Sequence, residues 1–353
     1  MTLDLRYLSL FVFGLAGGGL AYVLGLPMPF MLGGIVGTAS FVLWYERAGA
    51  QLPKMSRWVR LVFAAVIGSM IGTRFSPELM TLLPQFWISL PAILVFIVLA
   101  HSGNYAIMRR LGGYTKHDAF FAGLPGGIVD SVILAEQAGA DLRVVTTQHF
   151  IRIILVVSSV PLLFWFIEGD AVGSMAGETL AAASYDLWDV AMLLAIAFVG
   201  LFVGRKIRMP VAHLTGPLFL GLILSVSGVI SVDIPSWLQD LAQFMIGTSL
   251  GAQFSGVSRK LLVRGLGTGL LSGIYMLGLA ACAAVLLLPH VPAGFAPLFI
   301  SFAAGGLAEM SLIALTLNFN PVVVALHHLA RIVMTIWVGA MLSRRLFDLE
   351  QKP

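Results

Sequence analysis

The feature that most constrains this chain is a series of apolar segments, each close to the length of a membrane-crossing helix. A helix needs about 20 mostly apolar residues to span a bilayer, and several segments reach that length. Only 11% of the residues are charged, whereas soluble domains carry about 25%. The segments are about 7–25, 29–45, 58–75, 86–108, 118–138, 144–167, 188–204, 211–230, 237–254, 265–288, 297–317 and 322–343. The sequence therefore predicts an all-α protein that spans a membrane several times.

Composition narrows the function classes further. The first segment has no small-residue cleavage site, so we predict a membrane helix and not a removed signal. The single cysteine, Cys282, excludes an internal disulfide and a multi-cysteine metal site. The pI near 9.4 does not call for a nucleic-acid partner, because membrane proteins concentrate Lys and Arg in cytoplasmic loops.

The two ends of the chain resemble each other at a fixed offset of 179 residues. "GSMIGTRFS" at 68–76 matches "GTSLGAQFS" at 247–255, and "GLPGGIVD" at 123–130 matches "FAAGGLAE" at 302–309. Such self-similarity indicates an internal duplication. We predict a first membrane repeat over 1–170, an acidic linker over 171–187 and a second repeat over 188–353.

The distribution of positive charge predicts how the two repeats are oriented. Suppose that the N-terminus is inside and that each of the segments 118–138 and 297–317 leaves the membrane on the side from which it enters. Then 18 of the 21 Lys and Arg residues lie inside. Twelve spans in parallel repeats give 11 inside and 8 outside. The positive-inside rule favours the first arrangement. It has about ten spanning helices, two re-entrant hairpins and repeats of inverted topology; twelve spans in parallel repeats is the alternative.

Both proposed hairpins contain a pair of glycines followed by a carboxylate. Gly126 and Gly127 precede Asp130, with Ser131 next to it, as Gly305 and Gly306 precede Glu309. Near the start of a returning helix, unpaired N–H groups and the helix dipole stabilise negative charge. The carboxylates are predicted to bind Na⁺ or carry a proton, and the N–H groups to bind an anionic substrate. The alternative is that the carboxylates only cap the helix.

A histidine and an arginine recur together in the last segment of each repeat. Arg152 and Arg331 lie about nine residues into those segments, where buried charge needs a partner or a water-filled cavity. Asp130 and Glu309 are the partners expected from the sequence. The arginines are predicted either to bind an anion or to form structural ion pairs.

His149 and His328 precede these arginines by three residues and share a helix face with them. They are predicted to relay protons or bind solute, or else to bond a carbonyl group. The histidines of the chain have no spacing typical of a metal site. Elsewhere, the small-residue pairs Gly68/Gly72 and Gly247/Gly251 predict close helix packing.

The segments "GLPGGIVDSVILAEQAGAD" and "AAGGLAEMSLIALTLNFNP…HHLAR" resemble the AbrB-type family of duplicated bacterial membrane proteins over nearly the whole chain. Members have been labelled ammonia monooxygenases and regulators of gene expression. The residues support neither label, because no copper or iron ligand set and no soluble DNA-binding domain is visible. The arrangement is also similar, by analogy, to glutamate/sodium symporter-type carriers.

The sequence predicts an ion-coupled secondary transporter of a small anionic or zwitterionic solute, not an enzyme. It is expected to be a multi-pass protein of the bacterial inner membrane with both termini in the cytoplasm. Its expected partners are the solute and the lipid bilayer; no nucleic acid and no cofactor beyond the coupling Na⁺ or H⁺ is expected, and a homo-oligomer is compatible with the sequence. A membrane-bound metal monooxygenase and a membrane regulator of gene expression are the alternatives.

Overall fold

The computed structural model describes residues 5–48, 52, 55–75, 86–168, 181–182, 185–257 and 259–347, apart from eleven of their side chains, among them that of Asp130. Nearly every described element is a helix, as the apolar segments predict. The helices are α1 Leu5–Val23, α2 Pro29–Tyr45, α3 Arg57–Gly72, α4 Ser89–Ala106, α5 Lys116–Ala122, α6 Ile128–Gln137, α7 Leu142–Glu168, α8 Leu187–Lys206, α9 Ala212–Val226, α10 Ser236–Gly251, α11 Arg259–Leu287, α12 Phe295–Phe302, α13 Leu307–Thr316 and α14 Pro321–Phe347. A short parallel pair joins β1 (Ala181–Ala182) to β2 (Ile234–Pro235).

Six helices among the described residues are long and apolar enough to cross a membrane. They lie over Arg6–Val23, Ser89–Leu111, Leu142–Ile167, Leu187–Lys206, Leu261–Leu287 and Pro321–Phe347. The predicted spans at 29–45, 58–75 and 211–230 are apolar helices too, but they have 17, 16 and 15 residues. Six helices thus have the length and composition of membrane spans, while the total of ten spans stays a prediction.

Large apolar side chains also cover much of the outer surface of these helices. Val23, Leu187 and Phe198 are 81%, 82% and 74% exposed. Soluble monomers rarely expose extended apolar patches, whereas a helix in lipid presents such side chains to the bilayer. Helix length and surface together define a helical membrane protein.

The chain divides into two compact units, and each draws on both predicted repeats. The first unit contains Met1–Leu83, Ser158–Gly256 and Ala308–Val322; the second contains Pro84–Val157, Val257–Leu307 and Val323–Pro353. The repeat boundaries themselves stay a prediction. Much of the linker predicted at 171–187, namely 171–180 and 183–184, lies outside the described residues.

Glycines hold the helices of the first unit close together. A side chain at Gly68 or Gly72 of α3, or at Gly247 or Gly251 of α10, would collide with the backbone of a neighbouring helix. The nearest carbonyl oxygens are those of Leu214, Leu218, Met31 and Ile35, in the same order. The prediction that these small-residue pairs allow close packing is therefore confirmed.

The second unit contains two helix breaks. Residues 123–127, here called the first break, separate α5 from α6, and residues 303–306, the second break, separate α12 from α13. The prediction that 118–138 and 297–317 are interrupted at their glycine pairs is confirmed. Apolar packing of Phe121, Leu124, Ala135 and Val145 stabilises the first break. That each hairpin leaves the membrane on the side from which it enters stays a prediction.

Candidate functional site

Two histidine–arginine pairs lie in the second unit, one on α7 and one on α14. His149 and Arg152 are 0% and 2% exposed, and His328 and Arg331 are 0% and 3% exposed. Residues three apart on a helix are neighbours on one face. Because a charge in a long apolar helix is costly without polar partners, the partners of these side chains decide what the pairs can do.

The first pair binds the backbone of the first break. Arg152 Nη1 donates to Leu124 O at 2.8 Å, and Arg152 Nη2 donates to His149 Nδ1 at 2.8 Å. His149 Nε2 lies 3.0 Å from Phe121 O. A guanidinium group only donates hydrogen bonds, so His149 Nδ1 accepts one, and Nε2 carries the proton that Phe121 O receives. The histidine is therefore neutral, and both of its ring nitrogens are occupied.

The second pair repeats this geometry at the second break. Arg331 Nη1 donates to Ala303 O at 2.7 Å, and Arg331 Nη2 donates to His328 Nδ1 at 2.9 Å. His328 Nε2 lies 3.0 Å from Ile300 O. Each of these residues stands 179 positions after its counterpart in the first pair. Arg331 Nη2 additionally donates to Gly305 O at 2.8 Å.

The sequence explains why these arginines face carbonyl oxygens. The last carbonyl groups of α5 and α12 have no partner within their own helices, and they form the negative end of the helix dipole. A buried guanidinium group supplies both the missing donors and a positive charge. The histidine fixes the arginine rotamer, so this geometry favours a positioning role for His149 and His328 over a proton relay.

Carboxylates do not hold these arginines within the described part of the chain. The sequence named Asp130 and Glu309 as the expected partners, yet the described partners of Arg152 and Arg331 are carbonyl oxygens and histidine nitrogens. The side chain of Asp130 lies outside the described residues. Carbonyl dipoles offset part of each charge but do not neutralise it.

Each of the two arginines keeps an unpaired donor. The Nε atoms of Arg152 and Arg331 are buried without a hydrogen-bond partner among the described residues. A buried positive charge attracts an anion more strongly than an exposed one does. The two guanidinium groups are therefore candidate contacts for an anionic solute.

The first break presents its glycines beside a buried hydroxyl group. A Cβ atom at Gly126 would lie 2.6 Å from Thr335 Cγ2 and 3.2 Å from Thr335 Oγ1. Gly127 is the residue before α6 and has no side-chain cap. Ser131 Oγ donates to Gly127 O at 2.9 Å. The hydroxyl of Ser131 is thus occupied within its own helix.

The second break is more closed. Gly305 is buried, its N–H group donates to Ala303 O at 2.9 Å, and its carbonyl accepts from Arg331. Gly306 is half-buried. Both predicted carboxylates lie in the first turn of the following helix: Asp130 is the third residue of α6, and Glu309 is the third residue of α13 and is buried. The roles assigned to them stay predictions.

A second set of matched hydrogen bonds was missed at the sequence level. Gln148 Nε2 donates to Thr268 Oγ1 at 2.9 Å, and His327 Nε2 lies 2.8 Å from Ser89 Oγ. Gln148 and His327 are 179 residues apart, and so are Ser89 and Thr268. The offset that identified the histidines would have found these hydroxyl residues as well. They anchor α7 to α11 and α14 to α4.

The fold and the site define a class: a helical membrane protein with two interrupted helices whose carbonyl ends bind buried arginines. A family model described as "Transition state regulatory protein AbrB" matches residues 30–347. The chain belongs to the AbrB family, and the family resemblance read from the sequence is confirmed.

Two relatives show how far the similarity extends. The chain is 25% identical over 348 residues to "Uncharacterized protein YhjN" of Bacillus subtilis (strain 168), covering 91% of this chain and 88% of that protein. It is 23% identical over 319 residues to "Putative regulator AbrB" of Escherichia coli (strain K12), covering 90% of each. Neither name is that of an enzyme. No group of three or more His, Cys, Asp or Glu able to hold a metal occurs among the described residues.

Proposed function

We propose that this protein is an ion-coupled secondary transporter of a small anionic or zwitterionic solute across the bacterial inner membrane. One observation carries the proposal: two arginines are buried at two helix breaks of a helical membrane protein, where they donate to backbone carbonyl oxygens. Broken helices that meet near the bilayer midplane are a recurring design of secondary transporters.

In this proposal the two repeats have opposite orientations, and α5–α6 and α12–α13 form the re-entrant hairpins. The matched hydrogen bonds at the offset of 179 support related halves. The positive charge of the arginines attracts the solute, while the unpaired N–H groups at the start of the returning helices bind its acidic group. Gly126, Gly127, Gly305 and Gly306 let the backbone approach the solute.

Asp130 and Glu309 are proposed to carry the coupling proton or Na⁺. A carboxylate in the first turn of a helix is close to the positive end of the dipole, which favours its charged form and therefore its ability to bind a cation. His149 and His328 act through the arginines that they position. Alternating access would come from movement of one bundle against the other.

Uptake by purified protein in liposomes tests this proposal. We expect an imposed proton or Na⁺ gradient to drive accumulation of a small carboxylate, and the double variant Asp130→Asn, Glu309→Gln to abolish the gradient dependence. Glu136→Gln on the same helix α6 is the matched control and should retain it. Gradient-driven uptake that persists in the double variant would remove the coupling role of both carboxylates.

Regulation of gene expression is the second candidate, because the family description and the name of the Escherichia coli relative refer to it. A transporter influences expression when its solute is an effector, whereas a dedicated regulator acts without transport. The two differ in one measurement: if Arg152→Gln abolishes uptake but leaves the expression phenotype of a deletion strain fully complemented, regulation is independent of transport. Stoichiometric copper or iron in the purified protein would instead support the monooxygenase alternative.

A further inference from the structure

The two breaks differ in how completely their arginines are bonded. Arg331 uses both Nη atoms on carbonyl oxygens, contacting Ala303 and Gly305 and approaching Phe302 O at 3.5 Å. Arg152 donates to one carbonyl, that of Leu124. A guanidinium group has five N–H donors. Arg152 therefore retains more unused donors among its described contacts than Arg331 does.

A buried hydroxyl group adds to this asymmetry. Thr335 is 2% exposed, and its Oγ1 atom has no hydrogen-bond partner among the described residues. It contacts the first break, since Gly126 leaves no room for a Cβ atom beside it. The position 179 residues before Thr335 is Val156, which is apolar. The unpaired hydroxyl is thus a property of one break and not of both.

The first break is also the more exposed of the two. Gly126, Gly127 and Ile128 are half-buried, whereas of their counterparts 179 positions later only Gly306 is half-buried, and Gly305 and Leu307 are buried. Gly127 leads into α6, a helix of ten residues without a side-chain cap. The first N–H groups of such a helix need an acceptor. The first break therefore combines access, unpaired donors and positive charge.

We infer that the first break binds a carboxylate group of the transported solute, with Arg152, the Thr335 hydroxyl and the N-terminus of α6 as donors, while the second break has a structural role. A planar guanidinium edge matches the two oxygens of a carboxylate. Arg331 is already bonded to the second break, so one guanidinium group is available, and this suits a single carboxylate better than a phosphate. That the bound solute is transported rests on the proposed function, whereas carboxylate binding at the first break does not.

Thermal unfolding of the detergent-purified full chain tests the binding. Sodium acetate, benzoate, succinate and phosphate are compared with sodium chloride at equal ionic strength. We expect at least one carboxylate to stabilise the protein, and phosphate to stabilise it no more than chloride does. Thr335→Val should raise the apparent Kd of that carboxylate about tenfold, the factor that one hydrogen bond to a charged group supplies.

Two further variants control this result. Gly126→Ala places a methyl group against Thr335 and should raise the same Kd. Ser301→Ala removes an equally buried hydroxyl that donates to Pro297 O within its own helix, and it should leave the Kd unchanged. Thr335→Val keeps the shape of the side chain, so its effect is measurable even if Gly126→Ala does not fold.

The outcomes separate the inference from the proposed function. Carboxylate binding that is weakened by Thr335→Val supports the inference even if liposomes show no gradient-driven uptake, which would overturn only transport. Uptake with unchanged affinity in Thr335→Val, stabilisation by phosphate equal to that by carboxylates, or no stabilisation by any carboxylate would each overturn the inference.

Discussion

The histidine–arginine pairs at the two breaks share one geometry but differ in the number of carbonyl groups that the arginine binds. In both, the histidine accepts from the arginine and donates to a carbonyl oxygen three residues before the carbonyl that the arginine binds. At the second break, Arg331 also binds Gly305 O. At the first break, Arg152 binds one carbonyl oxygen, and Thr335 Oγ1 is buried without a partner within the described chain. The shared framework thus carries one arginine with two carbonyl partners and one arginine with a single carbonyl partner beside an unpaired hydroxyl group.

The number of carbonyl groups that each arginine binds predicts whether it contributes more to stability or to ligand binding. An arginine that binds several carbonyl groups holds a helix break in one conformation, because its removal breaks several buried hydrogen bonds. An arginine with fewer such bonds has more donors to offer a ligand. We therefore expect exchange or removal of these side chains to affect the two breaks unequally.

The largest expected effect is the loss of Arg331. Arg331→Ala removes charge-assisted hydrogen bonds to the carbonyl groups of Ala303 and Gly305, and we expect the free energy of unfolding to fall by about 3 to 6 kcal/mol at about 1.5 to 3 kcal/mol per bond. Arg152→Ala removes one such bond, to Leu124 O, and should cost about 1.5 to 3 kcal/mol. Equilibrium unfolding in mixed detergent, followed by tryptophan fluorescence, measures both values.

Arg345→Ala on the same helix is the control for Arg331→Ala, because Arg345 is exposed. It should leave the free energy of unfolding nearly unchanged. Carboxylate stabilisation should disappear in Arg152→Ala. Equal losses of stability in the two arginine variants would contradict the distinction between the breaks.

An intermediate effect is expected from the histidine of the first break. His149→Ala removes the acceptor that orients Arg152 and the side-chain hydrogen bond to Phe121 O, so unfolding free energy should fall by about 2 kcal/mol and carboxylate affinity should fall as well. His149→Asn restores an acceptor near the Nδ1 position and should recover part of the affinity. His328→Ala should affect stability without a comparable loss of affinity.

One pair of results would contradict the positioning role of His149. If His149→Asn binds carboxylate as weakly as His149→Ala, while gradient-driven uptake loses its dependence on the proton gradient in both, the histidine is a proton carrier and not a positioning residue.

The smallest effect is expected at Gln148 and His327, which are different residue types but each bind a hydroxyl group of a neighbouring helix. Gln148 binds Thr268 Oγ1 and Tyr114 Oη, whereas His327 binds Ser89 Oγ. Gln148→His keeps a donor for Thr268 and loses the bond to Tyr114, so it should cost about 1 kcal/mol. Thermal unfolding of the single variant measures this, and a loss as large as that of Arg331→Ala would show that Gln148 has a different role.

Several parts of the candidate site could be predicted from sequence because they have a side-chain signature. Glycine pairs inside apolar segments marked both helix breaks, and small residues four apart marked the close contacts of Gly68, Gly72, Gly247 and Gly251. The fixed offset of 179 relates His149 and Arg152 to His328 and Arg331.

The partners of the arginines could not be predicted in this way. The sequence directed attention to Asp130 and Glu309, because carboxylates are visible as letters and carbonyl groups are not. Leu124 and Ala303, which supply the carbonyl oxygens, each lie 28 residues from their arginine and carry apolar side chains. Thr335 had no distinguishing signal at all until the structure placed it beside Gly126.

The sequence by itself determined that this chain is helical, belongs in a membrane and has helices interrupted at two glycine pairs. The length of an apolar segment and the backbone freedom of glycine are local properties, so neighbouring residues suffice to predict them. The tertiary structure alone decided that buried arginines bind carbonyl groups at the helix breaks and that Arg331 binds two of them while Arg152 binds one. Those facts depend on which backbone atoms distant segments bring together, and backbone atoms are the same at every residue.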